Sequence, residues 1–525
     1  MGNLQTATKP VESEATQTIS TSITTWNGAE SYASVHDPLV ELFFKSVRDI
    51  PCTDYRCITV KKSKKEAKKR GFSTSSGPKS LEHYFDAAWT SDPLRTLKFV
   101  FYLRDCRGGK GERKLFRALV RHMRERGLSA HLEANIDQVP FFGSWKDVSI
   151  CFFGTPQEER AIELISNQLR QDKDAERPSL CAKYAPSEGG AVDKAHRAAT
   201  KVASDLGVSL TRYRKGYLVP LRAKLNIVER DMCAGEWAGV EYEKIPSIAG
   251  SRYKKAFNKH DEARYTEYLR GVQRGEKKMN TSVLMPYQIV SPYIKGENRD
   301  ETIEAQWKSF IDNRRTKWPA GINVMPLVDV SGSMFNGATP APGEVAVSLG
   351  MLFAELNSSP QYKGKFMTFS STPELLTVKG GSLHEQVNYV KGTHWEMTTD
   401  FQKALDLLLT IATTFNIPQA DMPQILLVIS DMQFNEAQRG QSNWDVLEHK
   451  YNEAGYTRPT IIFWNLNGNS MDYPVPNASV PNCALLSGFN DSIMYSILDG
   501  VMPNPLAIVH KALDKERYDV IRLAD

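Results

Sequence analysis

The chain has 525 residues, more than one ordinary hydrophobic core accommodates, so we expect two or more domains. Its composition, 41% hydrophobic, 10% aromatic and 24% charged, excludes a mostly disordered protein. The net charge of +5 conceals a division: residues 1–318 contain 54 Lys and Arg against 40 Asp and Glu, whereas residues 319–525 contain 12 against 21. The basic first part is therefore suited to a polyanion, and the acidic second part is not.

The cysteines and the hydropathy indicate where the protein works. Seven cysteines are scattered along the chain, which is typical of a reduced intracellular protein, and we expect a cytoplasmic location. No apolar stretch approaches the roughly 18 residues that cross a bilayer, so no transmembrane segment is predicted. The N-terminal Met-Gly-Asn with Thr6 also fits the short, common pattern for N-myristoylation, and lipidation of Gly2 is left open.

The first part of the chain predicts an arm followed by helices. Residues 1–36 are polar and predict a disordered arm, whereas residues 60–78 hold a basic run that is either a solvated loop or a nucleic-acid contact. From Ser80 to about Asp312 apolar residues recur three and four positions apart, and nothing alternates as a strand. We therefore predict an all-α, HEAT-like helical-repeat domain of stacked helix pairs over residues 37–317.

Three basic clusters in this helical region are candidate nucleic-acid contacts. They combine Arg and Lys with flexible glycines or with tyrosines, a mixture suited to phosphate contact and base stacking. The alternative is that they form solvated helix faces and salt bridges between helices. The candidate residues are Arg104, Arg107, Lys110, Arg113 and Lys114; Arg212, Tyr213, Arg214 and Lys215; and Arg252, Lys254 and Lys255.

From residue 318 the pattern changes to apolar strands alternating with helices. This alternation predicts a parallel sheet with both faces covered, an α/β doubly wound, Rossmann-like domain over residues 318–525. Ligands of such sheets bind beyond the carboxyl ends of the strands. Two apolar strands end in acid there, at Asp329 and Asp431.

Hydroxyl groups accompany these two acids. Ser331 and Ser333 follow Asp329 at two-residue spacing, and Thr399 precedes a predicted helix. Carboxylate and hydroxyl oxygens suit a divalent cation, Mg²⁺ first, with Mn²⁺ or Ca²⁺ as alternatives. The same residues could instead only cap loops.

This constellation resembles the metal-ion-dependent adhesion site (MIDAS) of von Willebrand factor A domains. Asp329, Ser331 and Ser333 match its first loop, Thr399 its second and Asp431 its third. One departure is that Met397 and Thr398 stand where many such domains have two glycines. The resemblance implies that a cation held by these residues is completed by an acidic residue of a protein partner, and that the domain catalyses nothing.

A second resemblance concerns the helical region. The stretches "LRDCRGGKGERKLFRALVRHM", "FGSWKDV", "LVPLRAKLNIVERDMCAGEW", "PSIAGSRYKKAFNKHD" and "LMPYQIV", joined to an A-type domain, resemble a widespread family known only as a domain of unknown function. Its architecture is similar to the TROVE module of Ro ribonucleoproteins, in which a ring of helical repeats binds RNA. This resemblance implies a non-enzymatic RNA-binding protein.

Two alternative functions stay open. One is a protein–protein scaffold that uses the metal site without RNA, and the other is a Mg²⁺-dependent phosphodiesterase, with Asp400 as an added ligand. No P-loop, no G-x-S-x-G and no H-E-x-x-H is present. His384 and His394 fall in a predicted loop, where capping or solvent exposure is expected.

Overall fold

The computed structural model describes residues 22–24, 30–52, 79–225, 227–335, 339–357, 360–369, 373–393, 401–434, 449–468, 472–495 and 504–525. The basic run at residues 60–78, together with Thr399, Asp400 and His394, lies outside these ranges.

The first half of the chain is helical, as its periodicity predicts. We call residues 38–315 the helical half. Several of its helices begin at a residue whose side chain accepts a backbone N–H, as at Asp37, Ser80, Asp92 and Asp300. The helices are α1 Pro38–Lys45, α2 Leu81–Ser91, α3 Pro93–Arg104, α4 Arg113–Glu125, α5 Ser129–Glu133, α6 Val139–Phe142, α7 Trp145–Phe152, α8 Glu158–Asp174, α9 Cys181–Tyr184, α10 Ala191–His196, α11 Ala198–Asp205, α12 Leu210–Tyr213, α13 Val219–Lys224, α14 Val228–Ala234, α15 Ser247–His260, α16 Glu262–Arg274, α17 Pro286–Ile294 and α18 Glu301–Arg315.

The second half, residues 324–525, is built on a six-stranded sheet, and we call it the α/β half. The strand order is β5-β4-β3-β6-β7-β8, with β5 antiparallel to β4 at one edge and the other pairs parallel. The strands are β3 Val324–Asp329, β4 Lys365–Phe369, β5 Glu374–Thr377, β6 Ile425–Ser430, β7 Thr460–Asn465 and β8 Cys483–Ser487. All six lie in the region where apolar strands were expected to alternate with helices.

Both faces of this sheet are covered. Every residue of β3, β6 and β8 is buried, and alternate side chains of a strand point to opposite faces. The helices of this half are α19 Pro342–Leu356, α20 Leu383–Lys391, α21 Phe401–Thr414, α22 Ser492–Tyr495 and α23 Pro505–Leu513. The expectation that His384 lies in a loop is wrong, because this residue is in the first turn of α20.

One apolar core runs through both halves. Helix α1 packs on β8 and α23, and α23 also packs on α3, so the first helices of the helical half contact the last helix of the α/β half. A smaller core of Val228, Tyr242, Phe257, Tyr265 and their neighbours lies among α14, α15 and α16. The change of sequence pattern near residue 318 is therefore not a gap between two cores.

The N-terminal arm, which was predicted to be disordered over residues 1–36, contains ordered structure. Strand β1 Ser22–Thr24 pairs with β2 Glu30–Tyr32. Tyr32 in turn exchanges two backbone hydrogen bonds with Tyr473, and Val35 is buried in the main core. The prediction of disorder is wrong for residues 30–36, because these contacts come from a segment more than 400 positions away that the local sequence does not reveal.

Candidate functional site

The carboxyl ends of β3 and β6 bring two acids to one edge of the sheet. The register pairs Val328 with Ile429. Asp329 therefore lies beside Ser430, which is the residue directly before Asp431 in the chain. Ser430 Oγ donates to Asp329 Oδ2 at 2.6 Å, and the Ser331 amide donates to Asp329 Oδ1 at 2.9 Å. Asp329 is fully buried and Asp431 is 3% exposed.

The remaining described residues of the predicted site lie around these acids. Ser331 Oγ and Ser333 Oγ are 3.1 Å apart, with Ser331 buried and Ser333 exposed. The backbone amide of Gln433 donates to Asp431 Oδ1 at 3.2 Å. Four of the five predicted metal ligands are thus on the same edge of the sheet, and the position of Thr399 stays a prediction.

The electrostatics of the two acids are unfavourable in the metal-free protein. Burial, followed by repulsion from the nearby Asp431, raises the pKa of Asp329 to about 7, although hydrogen bonds from Ser430 and Ser331 act in the opposite direction. Burial also raises the pKa of Asp431, while the Gln433 amide and the Ser333 hydroxyl act in the opposite direction. None of the ion pairs found among the described residues includes either acid.

The donor set suits a hard divalent cation. It offers two carboxylates and two serine hydroxyls, the oxygen ligands that Mg²⁺, Mn²⁺ and Ca²⁺ accept. In the ranges that the structure covers, no three His, Cys, Asp or Glu residues are close enough together to form a metal site by themselves. A cation here would therefore depend on hydroxyl and water oxygens as well as on Asp329 and Asp431.

Two neighbours of this edge escaped the sequence analysis. Ser430 ends β6 one position before Asp431, and its place in the strand was the signal that could have identified it. Asp472 follows β7 by seven positions and is 3% exposed. It lies in a stretch without strand or helix periodicity, so the sequence offers no comparable signal for it.

Much of the glycine loop, residues 105–112, forms an internal contact, whereas Arg107 is exposed and its nucleic-acid contact stays a prediction. Lys110 is fully buried, and its ammonium group donates to the carbonyls of Phe43 and Ser46 and to Ser487 Oγ at the end of β8. Burial lowers the pKa of Lys110 well below its ordinary value. The prediction that Lys110 contacts RNA is therefore wrong: its charge is used between the two halves.

Every charged side chain of the glycine loop has a partner. Asp105 accepts from Arg517 and from Tyr518 in the C-terminal segment. Glu112 forms an ion pair with Arg48 at 2.8 Å. Arg107 donates to the carbonyl of Phe141 at 3.3 Å. The loop also accepts hydrogen bonds at the Gly109 carbonyl, from Asn490 Nδ2 at 2.8 Å and Ser492 Oγ at 3.0 Å.

Three further candidates are occupied inside the protein. Arg104 is 5% exposed and forms an ion pair with the buried Asp147 at 2.8 Å, so it is also wrong as an RNA contact. Tyr213 is buried and its hydroxyl donates to the carbonyl of Pro186, which removes it from base stacking. Lys254 is paired with Asp300 at 2.8 Å.

The other predicted basic residues remain available on the surface. Arg212, Arg214 and Lys215 are exposed on α12 and the π-helical turn Arg214–Leu218, and no side chain of the described chain pairs with them. Arg252 and Lys255 are exposed on α15, together with Lys259 one turn further on. On α4, Arg113 is exposed and Lys114 half-buried.

Two family models match the chain, and they meet near residue 320. Residues 25–148 and 205–317 match a domain of unknown function (DUF2828). Residues 323–517 match a second domain of unknown function (DUF7788). The chain therefore combines a helical half similar to one such family with an α/β half similar to another, and neither description names an activity.

Two individual proteins are also similar to this chain. An uncharacterised protein of Acanthamoeba polyphaga mimivirus is 29% identical over 537 residues, covering 93% of this chain and 87% of the viral protein. The crystal structure of the Deinococcus radiodurans RO (RSR) protein aligns with 75% of this chain and 93% of its own, at 12% identity and a TM-score of 0.37. A TM-score this low supports no conclusion about function.

Among the helices in the described ranges, none is both long enough and apolar enough to cross a bilayer.

Proposed function

We propose that this chain is a non-enzymatic protein that holds a divalent cation, Mg²⁺ first, through Asp329, Ser331, Ser333, Thr399 and Asp431. An acidic group of a protein partner would complete the coordination of that cation. The observation that supports the proposal is a pair of buried carboxylates on neighbouring strand ends, with no cationic side chain of the described ranges paired to either.

The physical argument concerns the cost of burying charge. Two buried acids side by side repel each other, and in the absence of a counter-charge one of them must bind a proton. A bound divalent cation offsets this repulsion and offers a free position to an outside oxygen ligand. The hydrogen bonds to Asp329 and Asp431 come from serine hydroxyls and backbone amides, so no described histidine or lysine is placed there as a catalytic base.

Calorimetric titration of the full chain with Mg²⁺ and Mn²⁺ tests the cation site. We expect saturable binding by the native sequence and none by Asp329→Ala or Asp431→Ala. The matched control is Asp421→Ala, which removes an exposed acid at the opposite end of β6. Equal binding by all four proteins would contradict the proposal.

The role of the cation in partner binding needs a separate measurement. Proteins captured by the native chain in Mg²⁺ should be released by EDTA and should not be captured by Asp329→Ala. Retention of the same proteins by that variant would exclude adhesion through the cation. Mg²⁺-dependent cleavage of RNA or DNA, lost in both Asp329→Ala and Asp431→Ala, would instead establish the phosphodiesterase alternative.

RNA binding by the helical half is a second proposed function, supported by a different observation. Arg212, Arg214 and Lys215 are exposed side by side without ion-pair partners among the described residues, and Arg252 and Lys255 are exposed on α15. Unpaired cations on a basic surface attract phosphates at little desolvation cost. The scaffold alternative differs in that it needs no such surface.

Salt-dependent binding of single-stranded RNA by the full chain tests this second function. The triple variant Arg212→Glu, Arg214→Glu, Lys215→Glu should bind more weakly, and three lost phosphate contacts should lower the slope of log affinity against log salt by about 2. The control reverses Lys244, Arg274 and Lys308, which are exposed but already paired with acids. Equal loss in both variants would mean that only net charge matters, and RNA binding at this surface would be excluded.

A further inference from the structure

A third buried acid belongs to the same edge of the sheet. Strands β3, β6 and β7 are parallel neighbours, and each is followed at its carboxyl end by a buried acid: Asp329, Asp431 and Asp472. The resemblance to adhesion sites accounts for the first two only. Asp472 comes from the segment after β7, where Sequence analysis identified no candidate.

The backbone around Asp472 is held in place without using its carboxylate. Tyr473 exchanges two backbone hydrogen bonds with Tyr32, at 3.0 and 2.8 Å, and its carbonyl also accepts from Ser31 Oγ. The buried Lys45, at the end of α1, donates to the carbonyl of Asp472 at 2.6 Å. Because these contacts fix the segment, the carboxylate itself is available for another role.

The carboxylate of Asp472 is only half satisfied. Its Oδ1 accepts from Gln433 Nε2 at 3.0 Å, whereas its Oδ2 is buried and has no hydrogen-bond partner among the described residues. A buried oxygen of this kind is costly unless something outside the hydrogen-bond network of the protein binds it. Gln433 also donates through its backbone to Asp431, so one residue contacts both acids.

Asp472 is close enough to Asp431 to interact electrostatically with the proposed cation site. It raises the pKa of Asp431 through like-charge repulsion. Burial raises the pKa of Asp472 itself, while Lys45 and Gln433 act in the opposite direction. The ammonium group of Lys45 is directed at the Asp472 carbonyl and lies 4.2 Å from the centre of the Tyr473 ring.

We propose that Asp472 is a positioning residue of the cation site, one that acts on the cation through water and through Gln433. This inference rests on the proposed function, since it assumes a cation between Asp329 and Asp431. The three acids do not all bind the cation directly, because no three acidic residues in the described ranges are close enough together to share one metal ion. The third carboxylate adds negative charge beside the site and orients Gln433, which orients Asp431.

Calorimetric titration of the full chain with Mn²⁺ alone tests the role of Asp472. We expect Asp472→Asn to bind Mn²⁺ about ten-fold more weakly than the native sequence, a typical loss for a group that supports metal ligands. Its thermal midpoint without metal should be unchanged or higher, because a buried charge has been removed. A merely structural role would lower that midpoint and leave the Mn²⁺ affinity of the folded protein unchanged.

Two further variants keep the test decisive. Asp421→Asn removes an exposed acid at the far end of β6 and should bind as the native protein does. If Asp472→Asn does not fold, Gln433→Met, which removes the bridge between the acids, should show the same weakening.

The outcomes separate this inference from the proposed function. Loss of Mn²⁺ binding in Asp329→Ala with native affinity in Asp472→Asn overturns the role of Asp472 and leaves the cation site intact. Native affinity in Asp329→Ala overturns both. Equal weakening in Asp472→Asn and Asp421→Asn means a general charge effect, which also overturns the role of Asp472.

Discussion

Two short polar loops of this protein look equally functional in sequence, and the fold uses them differently. The glycine loop, residues 105–112, follows α3, and the turn at residues 329–335 follows β3. In the glycine loop each charge has a partner: Asp105 with Arg517, Arg107 with a carbonyl, Lys110 with three oxygens and Glu112 with Arg48. In the turn, Asp329 is buried beside Asp431 and no described side chain offsets their charge.

The difference teaches where function can be sought. A buried charge that is fully paired stabilises an internal contact, and its removal damages the structure. Buried charges without a partner are expensive for the protein and are found where a ligand supplies the missing charge. The number of basic or acidic residues in a loop does not distinguish these cases. Only the partners do.

The largest expected effect is on the glycine loop. A Cβ at Gly109 would lie 2.0 Å from the carbonyl oxygen of Tyr102, which is backbone and cannot move aside cheaply. We expect Gly109→Ala to lower the free energy of unfolding by about 3 kcal/mol or more, as severe overpacking does. Chemical denaturation followed by tryptophan fluorescence measures this change.

A matched glycine elsewhere sharpens this test. Gly127 has a positive φ of 78° but open space around its Cβ position, so Gly127→Ala should cost only about 1 kcal/mol. If the two variants were equally stable, the close contact between the glycine loop and α3 would not matter.

A smaller effect separates buried from exposed arginines among the predicted RNA contacts. Arg104→Met leaves the buried Asp147 with one ion-pair partner among the described residues, Arg117, and should cost about 3 kcal/mol, the lower end for a broken buried ion pair. Arg113→Met, on the exposed face of α4, should change stability by less than about 0.5 kcal/mol. A large loss in Arg113→Met together with a stable Arg104→Met would reverse our assignment of the two residues.

The smallest effect concerns pH and the lysine beside Asp472. In the folded protein, burial lowers the pKa of Lys45 to about 8, although Asp472 and Glu41 act in the opposite direction. In the unfolded chain, Lys45 keeps its proton up to about pH 10.5. Between these values the unfolded state binds more protons, so Lys45 makes the free energy of unfolding rise with pH. From pH 7.5 to 9.5 this rise should be about 1–2 kcal/mol larger in the native sequence than in Lys45→Met.

Urea denaturation at several pH values measures that difference. Lys255→Met, which removes an exposed lysine, serves as the control and should keep the native pH dependence. A Lys45→Met curve parallel to the native one would mean that Lys45 keeps its proton throughout this range.

Local patterns were enough to predict most elements. The apolar runs ending at Asp329 and Asp431 predicted β3 and β6. Helix starts at Asp92 and Asp300 follow from local capping chemistry. Helix α20 was missed although Ser382 caps it locally by accepting the Glu385 N–H. Glu304 of α18 adds a contact that the local sequence does not show, since it accepts the backbone N–H groups of Leu383 and His384.

The sequence by itself determined the two patterns of this chain, the strand-end acids and the surplus of positive charge before residue 318. These depend on residue type and on neighbours a few positions away. Only the tertiary structure decided that Lys110 and Arg104 are buried inside the protein. It also decided that residues 30–36 contact the segment around Tyr473, and that Asp472 lies at the same edge of the sheet as Asp329 and Asp431. The physical reason is that burial and charge pairing depend on chain segments tens to hundreds of residues apart, and neither hydrophobic periodicity nor composition records which segments meet.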